Sequence, residues 1–117
     1  MARSKTVVTV ISKISERPVA KEAALVVIYG IDLGRKYNLD KSTLVIGRSS
    51  KADVQIDDRY ASSVHARIFS RDGRTYVEDM NSTNGTLLND ATLKGEAELL
   101  DGDIVRIGDT EFRFEAS

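Results

Sequence analysis

The chain has 117 residues and a mass of 12.9 kDa, the size of one domain, and its 41% hydrophobic and 30% charged residues supply a core and exclude a wholly disordered chain. The 17 Lys and Arg against 18 Asp and Glu give a formal charge of -1, so no basic field exists to hold nucleic acid. With 0 Cys and 1 His, disulfides, thiolate metal sites and cysteine nucleophiles are excluded, and neither metal nor cofactor is expected.

Residues 1–22 mix Ser, Thr, Lys and small aliphatics around the only proline, Pro18, and read as a flexible N-terminal tail with room for one edge strand over 7–11. That apolar stretch is broken by Thr9 and stopped by Ser12 and Lys13. It is too short for a signal sequence or a membrane span, so a cytoplasmic protein without membrane contact is expected. From Ala23 onward the pattern changes to short β-branched and aromatic runs, at 25–29, 35–39, 43–47, 54–56, 66–70, 75–79, 86–88, 104–107 and 110–114. In the last of these Phe112 and Phe114 alternate with Glu111, Arg113 and Glu115, the period of a strand with one wet face. Asp72-Gly73 and Asp101-Gly102 read as hairpin turns and Gly108-Asp109 as a third, since Gly takes positive φ readily and Asp bonds the following backbone. The one helical rival, 96–100, is bracketed too tightly by Gly95 and Gly102. Residues 23–117 are therefore expected to form an all-β sandwich.

The chain holds no Walker-type loop, no G-x-G-x-x-G, no H-E-x-x-H and no nucleophile elbow around any serine. An enzyme is not expected. Three polar segments do stand out, each beside a strand-like run: Gly47-Arg48-Ser49-Ser50, Ser62-Ser63-Val64-His65, and Asn81-Ser82-Thr83-Asn84-Gly85-Thr86. An Arg fork, short hydroxyls and a Gly that admits close backbone approach suit a phosphate, provided the loops converge at one end of the sandwich. Taken singly, Arg48 reads as a solvated strand-end charge, Ser62 and Thr83 as turn formers, His65 as a loop brace, and Asp57-Asp58 as a solvated face.

In their order, Gly47-Arg48, Ser62-Ser63-Val64-His65-Ala66, Asn81 to Thr86 followed by Asn89, and the Asp101-Gly102-Asp103 turn with Ile104, Ile107 and Gly108 resemble the signature blocks of forkhead-associated (FHA) domains. The resemblance runs from about Ala23 to Phe114 and implies an eleven-stranded β-sandwich whose apical loops bind phosphothreonine peptides. Carried over by position, it implies that Arg48 binds the phosphate, Ser62 donates to it, Thr83 contacts the phosphothreonine and Asn84 holds the peptide backbone. Gly47, His65 and Gly85 would be structural. Ser63 stands where many members carry Arg, Lys or Asn as a further phosphate contact, and Tyr60 stands where the family reads the residue three positions after the phosphothreonine.

The partner so implied is a phosphothreonine-containing protein or peptide, with a Ser/Thr kinase upstream. Thr6 and Thr9 lie in a basic head and are candidate phosphosites, through which the domain would bind its own tail or that of a neighbour. Ala24-Leu25-Val26-Val27-Ile28-Tyr29-Gly30 and Asn81 to Thr86 are also similar to bacterial FHA modules that precede GGDEF diguanylate cyclase domains, of which this chain would be the excised regulatory part. The alternative is an assembly module that keeps the sandwich without reading phosphate, because fold and function separate readily.

Overall fold

The computed structural model describes residues 22–117. The edge strand expected at 7–11, the tail, and Thr6 and Thr9 lie outside the described residues. Eleven strands follow one another: β1 (Ala23–Tyr29), β2 (Lys36–Asn38), β3 (Thr43–Gly47), β4 (Val54–Gln55), β5 (Ala66–Arg71), β6 (Arg74–Asp79), β7 (Thr86–Leu88), β8 (Ala91–Thr92), β9 (Glu96–Glu98), β10 (Ile104–Ile107) and β11 (Thr110–Ala116). They form a six-stranded sheet in the order β2-β1-β11-β10-β7-β8 and a five-stranded sheet in the order β4-β3-β5-β6-β9. The expected all-β sandwich of eleven strands is the observed architecture, and no helix occurs among the described residues.

The core lies between the sheets because every long strand alternates. Leu25 and Val27 of β1, Val105 and Ile107 of β10, and Phe112 and Phe114 of β11 face Leu44 and Ile46 of β3, Ala66 and Ile68 of β5, and Val77 of β6. Along β11 the buried Thr110, Phe112 and Phe114 interleave with Glu111, Arg113 and Glu115, as the sequence period requires. The outer face of the five-stranded sheet is built from the other parity. Phe69 stacks on Tyr76 at 5.5 Å between ring centroids, beneath the guanidinium groups of Arg67 and Arg71. Cross-strand pairs Arg67–Glu78, Arg71–Glu96 and Arg74–Glu98 complete this face.

The turns sort the loops into two poles. At one pole β5 and β6 join through Asp72 (φ 54°) and Gly73 (φ 78°), the paired positive dihedrals of a type I′ hairpin, as expected. Asp101-Gly102 also turns, with the Asp103 amide donating to the Leu100 carbonyl at 2.9 Å. It is not a hairpin, however: β9 and β10 belong to different sheets, so this turn carries the chain across the sandwich. Sequence alone misses this because a two-residue turn looks the same whether its flanks pair or part. The segment 96–100, with its helical alternative, holds strand β9, which pairs with β6 through Tyr76↔Glu98 and Glu78↔Glu96. Gly108-Asp109 joins β10 to β11 as a hairpin at the opposite pole, where the three motif loops also lie.

Candidate functional site

Three loops meet at that pole: the β3–β4 loop carrying Arg48, the β4–β5 loop carrying Tyr60, Ser62 and Ser63, and the β6–β7 loop carrying Thr83 and Asn84. Their backbones interlock. The Arg48 and Ser49 amides donate to the carbonyls of Ser62 and Ser63 at 3.0 and 3.1 Å, continuing the β3 edge into the second loop. A Cβ at Gly47 would lie 2.7 Å from the Ser63 carbonyl carbon, so only glycine lets these two loops approach so closely.

His65 is wholly buried and staples the other pair of loops. Its Nδ1 accepts the Ser62 amide hydrogen at 3.0 Å, so the ring proton sits on Nε2, which donates to the Gly85 carbonyl at 2.8 Å. Gly85 itself takes φ +81° and donates its amide to Ser82 Oγ at 2.9 Å. Beneath this loop Asp79 receives the Ser82 amide and hydroxyl at 3.0 and 2.5 Å and the Thr86 hydroxyl at 2.6 Å. Burial pushes the Asp79 carboxyl up, but the hydrogen bonds from Ser82 and Thr86 outweigh it and hold the group below the usual carboxylate range.

On this frame the exposed groups converge. Ser62 Oγ accepts the Thr83 amide hydrogen at 3.0 Å, bringing the two loops into contact at the point where both face solvent. The Arg48 side chain is exposed and its one long contact, 3.4 Å from Nη1 to the Arg59 carbonyl, leaves most of its donors unspent. Asn84, itself exposed, donates from Nδ2 to the Tyr60 carbonyl at 2.9 Å. Ser63, Tyr60 and Thr83 are likewise exposed. Every site residue picked from the sequence within the described region therefore lies in these loops or directly beneath them. Arginine donors, a serine hydroxyl and an amide-rich turn at one surface can bind an anionic group together with the backbone that carries it. Among the described residues no cluster of His, Cys, Asp and Glu is arranged to hold a metal.

Two supporting residues were not legible as such. Asp79 precedes Ser82 by three, the spacing at which a carboxylate caps a following backbone amide, and that signals a loop buttress once the loop is recognised. Asp58, expected on a solvated face with Asp57, is instead buried at 7% exposure. It accepts the Tyr60 amide at 2.9 Å and, from the far side of the sandwich, the Asp109 amide and the Thr110 hydroxyl, each at 2.8 Å. Partners more than fifty positions away leave no local signature, which is why the pair Asp57-Asp58 reads as surface.

The model of the FHA domain family matches residues 44–108. The FHA domain-containing protein FhaB of Mycobacterium tuberculosis is 40% identical over 86 residues, which cover 74% of this chain and 56% of FhaB. The chain thus spans little more than half the length of that relative. Among solved structures, an FHA domain studied for phosphothreonine-dependent interactions superposes with a TM-score of 0.74 at 33% identity, covering 81% of this chain and 96% of that one. Mycobacterium tuberculosis EmbR, solved in complex with a low-affinity phosphopeptide, superposes with a TM-score of 0.76 at 32% identity over 82% of this chain and 24% of EmbR. With the signature residues gathered on three interlocked loops of an eleven-stranded sandwich, the chain belongs to the FHA domain family.

Proposed function

We propose that this domain is a phosphothreonine-peptide reader in signal transduction, acting on proteins phosphorylated by a Ser/Thr kinase, with no catalytic chemistry of its own. Phosphorylation turns a neutral threonine into a group of about -1.5 to -2 charge with three acceptor oxygens. Arg48 and the Ser62 hydroxyl take those oxygens, with Ser63 as a weaker neighbour. Thr83 contacts the phosphothreonine, Asn84 Oδ1 accepts from the peptide backbone, and Tyr60 meets the residue three positions further on. Binding switches on with the modification because Arg48 has no strong partner in the unmodified peptide.

The observation that carries this reading is the juncture of Ser62 and Thr83: a hydroxyl that accepts from one loop and keeps its own hydrogen for a ligand, on the same face as the unspent Arg48 donors. EmbR, solved in complex with a phosphopeptide, and the FHA domain studied for phosphothreonine-dependent interactions support it. The unit that performs the task is 23–117, with 1–22 as a tail, a reading supported by the change of sequence pattern at Ala23. No helix among the described residues is long and apolar enough to cross a membrane, and a cytoplasmic setting fits a target of protein kinases.

The test is fluorescence anisotropy with a degenerate phosphothreonine peptide library, alongside phosphoserine and unphosphorylated versions and the Arg48→Ala variant. Binding to the phosphothreonine library alone, lost in the variant, is the expected result. Equal binding of phosphoserine peptides contradicts the phosphothreonine assignment, since the extra methyl is worth at most about 0.8 kcal/mol without a shaped pocket. No binding by a folded domain returns the function to phosphate-independent assembly.

A further inference from the structure

We propose that Asp58 is a specificity-determining positioning residue: a buried carboxylate that sets the distance between Tyr60 and Asp109 and so decides which peptide side chain, beyond the phosphothreonine itself, the domain accepts. This rests on the phosphopeptide reading above and extends it to a residue that touches no ligand.

Tyr60 and Asp109 both line a cleft of about 430 Å³, together with Asn84, Leu87, Arg106, Gly85 and Gly108. An engineered apolar cavity of about 150 Å³ admits benzene, so this cleft has room for any natural side chain and its shape decides among them. Tyr60 and Asp109 come from different loops, β4–β5 and β10–β11, and Asp58 bonds to both, reaching Asp109 across 51 positions of sequence. Its Oδ1 accepts the Tyr60 amide at 2.9 Å, and its Oδ2 accepts the Asp109 amide at 2.8 Å. The Thr110 hydroxyl fixes the same oxygen at 2.8 Å.

The outer ends of both walls are also tied. The Tyr60 carbonyl is held by Asn84 Nδ2 at 2.9 Å and the Gly108 carbonyl by Arg106 Nε at 3.0 Å. The Tyr60 wall is thus also held from the β6–β7 loop through Asn84, and the Asp109 wall from β10 through Arg106, while Asp58 accepts from the backbone amides of both walls at once. Gly108 completes the device. It takes φ +61°, and a Cβ there would lie 2.7 Å from the Asp58 carboxyl carbon, so the turn is shaped around the carboxylate.

Asparagine at this position keeps the volume but replaces one oxygen with a donor facing donors, releasing either the Tyr60 wall or the Asp109 wall. Thr110→Val removes one hydroxyl and leaves both amide bonds. The experiment compares wild type, Asp58→Asn and Thr110→Val on a phosphothreonine library randomised at the positions flanking the phosphothreonine, with circular dichroism as a fold control. Backbone amide exchange by NMR on the free domains reads the latch without any ligand. The expected result is faster exchange at Tyr60 or Asp109 in Asp58→Asn, and a loss of about 10-fold in the preference between best and worst flanking residues. Thr110→Val should lie between the two.

Uniformly weaker binding with an unchanged ranking overturns the proposal, leaving Asp58 a purely structural brace. Slow exchange at both amides in Asp58→Asn overturns it equally. A wild-type domain that binds no library member overturns the phosphopeptide reading and the selectivity with it, while amide exchange still decides whether Asp58 couples the loops.

Discussion

Ser62 Oγ accepts the Thr83 amide hydrogen at 3.0 Å across 21 residues of sequence. The bond satisfies a loop amide with a hydroxyl lone pair and leaves the hydroxyl hydrogen available to donate. Ser62→Ala removes both effects. We expect a stability loss of about 1 kcal/mol by urea unfolding, against a loss of at least about 10-fold in phosphothreonine-peptide affinity by anisotropy. An affinity change no larger than about 2-fold would confine Ser62 to the loop contact.

Arg48 presents the opposite balance. Its side chain is exposed and contributes little to the fold, so Arg48→Ala and Arg48→Lys should both melt within about 0.5 kcal/mol of wild type. Binding should vanish in the Ala variant and survive only weakly in the Lys variant, because an ammonium cannot reproduce the bidentate fork. Full affinity in Arg48→Lys would mean that charge alone is read.

Ser63 is exposed at the rim, its carbonyl already committed to the Ser49 amide at 3.1 Å, so a longer side chain there enters solvent without disturbing the loop. Ser63→Arg should raise phosphopeptide affinity by up to about 5-fold, the value of an exposed ion pair near 1 kcal/mol, and the gain should shrink as salt is raised. A salt-independent gain would point to packing instead.

His65 has both ring nitrogens engaged with backbone groups of different loops. His65→Ala leaves the Ser62 amide and the Gly85 carbonyl unpaired beside a new cavity, and we expect it to lower the unfolding free energy by about 3 kcal/mol. Gly47→Ala should be comparably damaging, since the clash is with backbone. Chemical denaturation of both variants checks this, and wild-type stability in either would show that the loops are joined by other means.

Acid should act through Asp58 and Asp79. Burial pushes the Asp58 carboxyl up, but the Thr110 hydroxyl and the Tyr60, Asp109 and Thr110 amides outweigh it, and its folded value lies below the unfolded one, as does that of Asp79. A depressed carboxyl contributes stability that is present above the unfolded value of about 3.9 and is lost as pH falls through the folded value. Stability should therefore hold from neutrality to about pH 4 and drop below it, and Asp79→Asn should flatten that acid limb in pH-dependent unfolding. A limb of unchanged slope in the variant would assign the drop to other carboxylates.

Much of this architecture was legible before any coordinates. The runs of β1, β3, β5, β6, β10 and β11 announce themselves because a strand buried on one face must alternate, and Phe112 and Phe114 do so among charges. Strands β8 and β9 were not legible from residues such as Ala91-Thr92 and Glu96-Ala97-Glu98, whose pairing is supplied by Leu87, Leu88 and β6. For the candidate site, the order of Gly47-Arg48, Ser62 to His65 and Asn81 to Thr86 was enough to single out the loops.

What the amino-acid sequence determined by itself is what rests on local periodicity and local chemistry: the strand pattern, the Asp72-Gly73 hairpin and the identity of the polar loops. What only the tertiary structure decided is which groups meet. It set His65 between Ser62 and Gly85, turned Asp101-Gly102 into a crossing between sheets, and buried Asp58, which reads as a surface charge, against Asp109 and Thr110. Those relationships depend on contacts between segments 20 to more than 50 positions apart. A carboxylate's surroundings, not its neighbours in the chain, determine whether it faces water or holds two loops together.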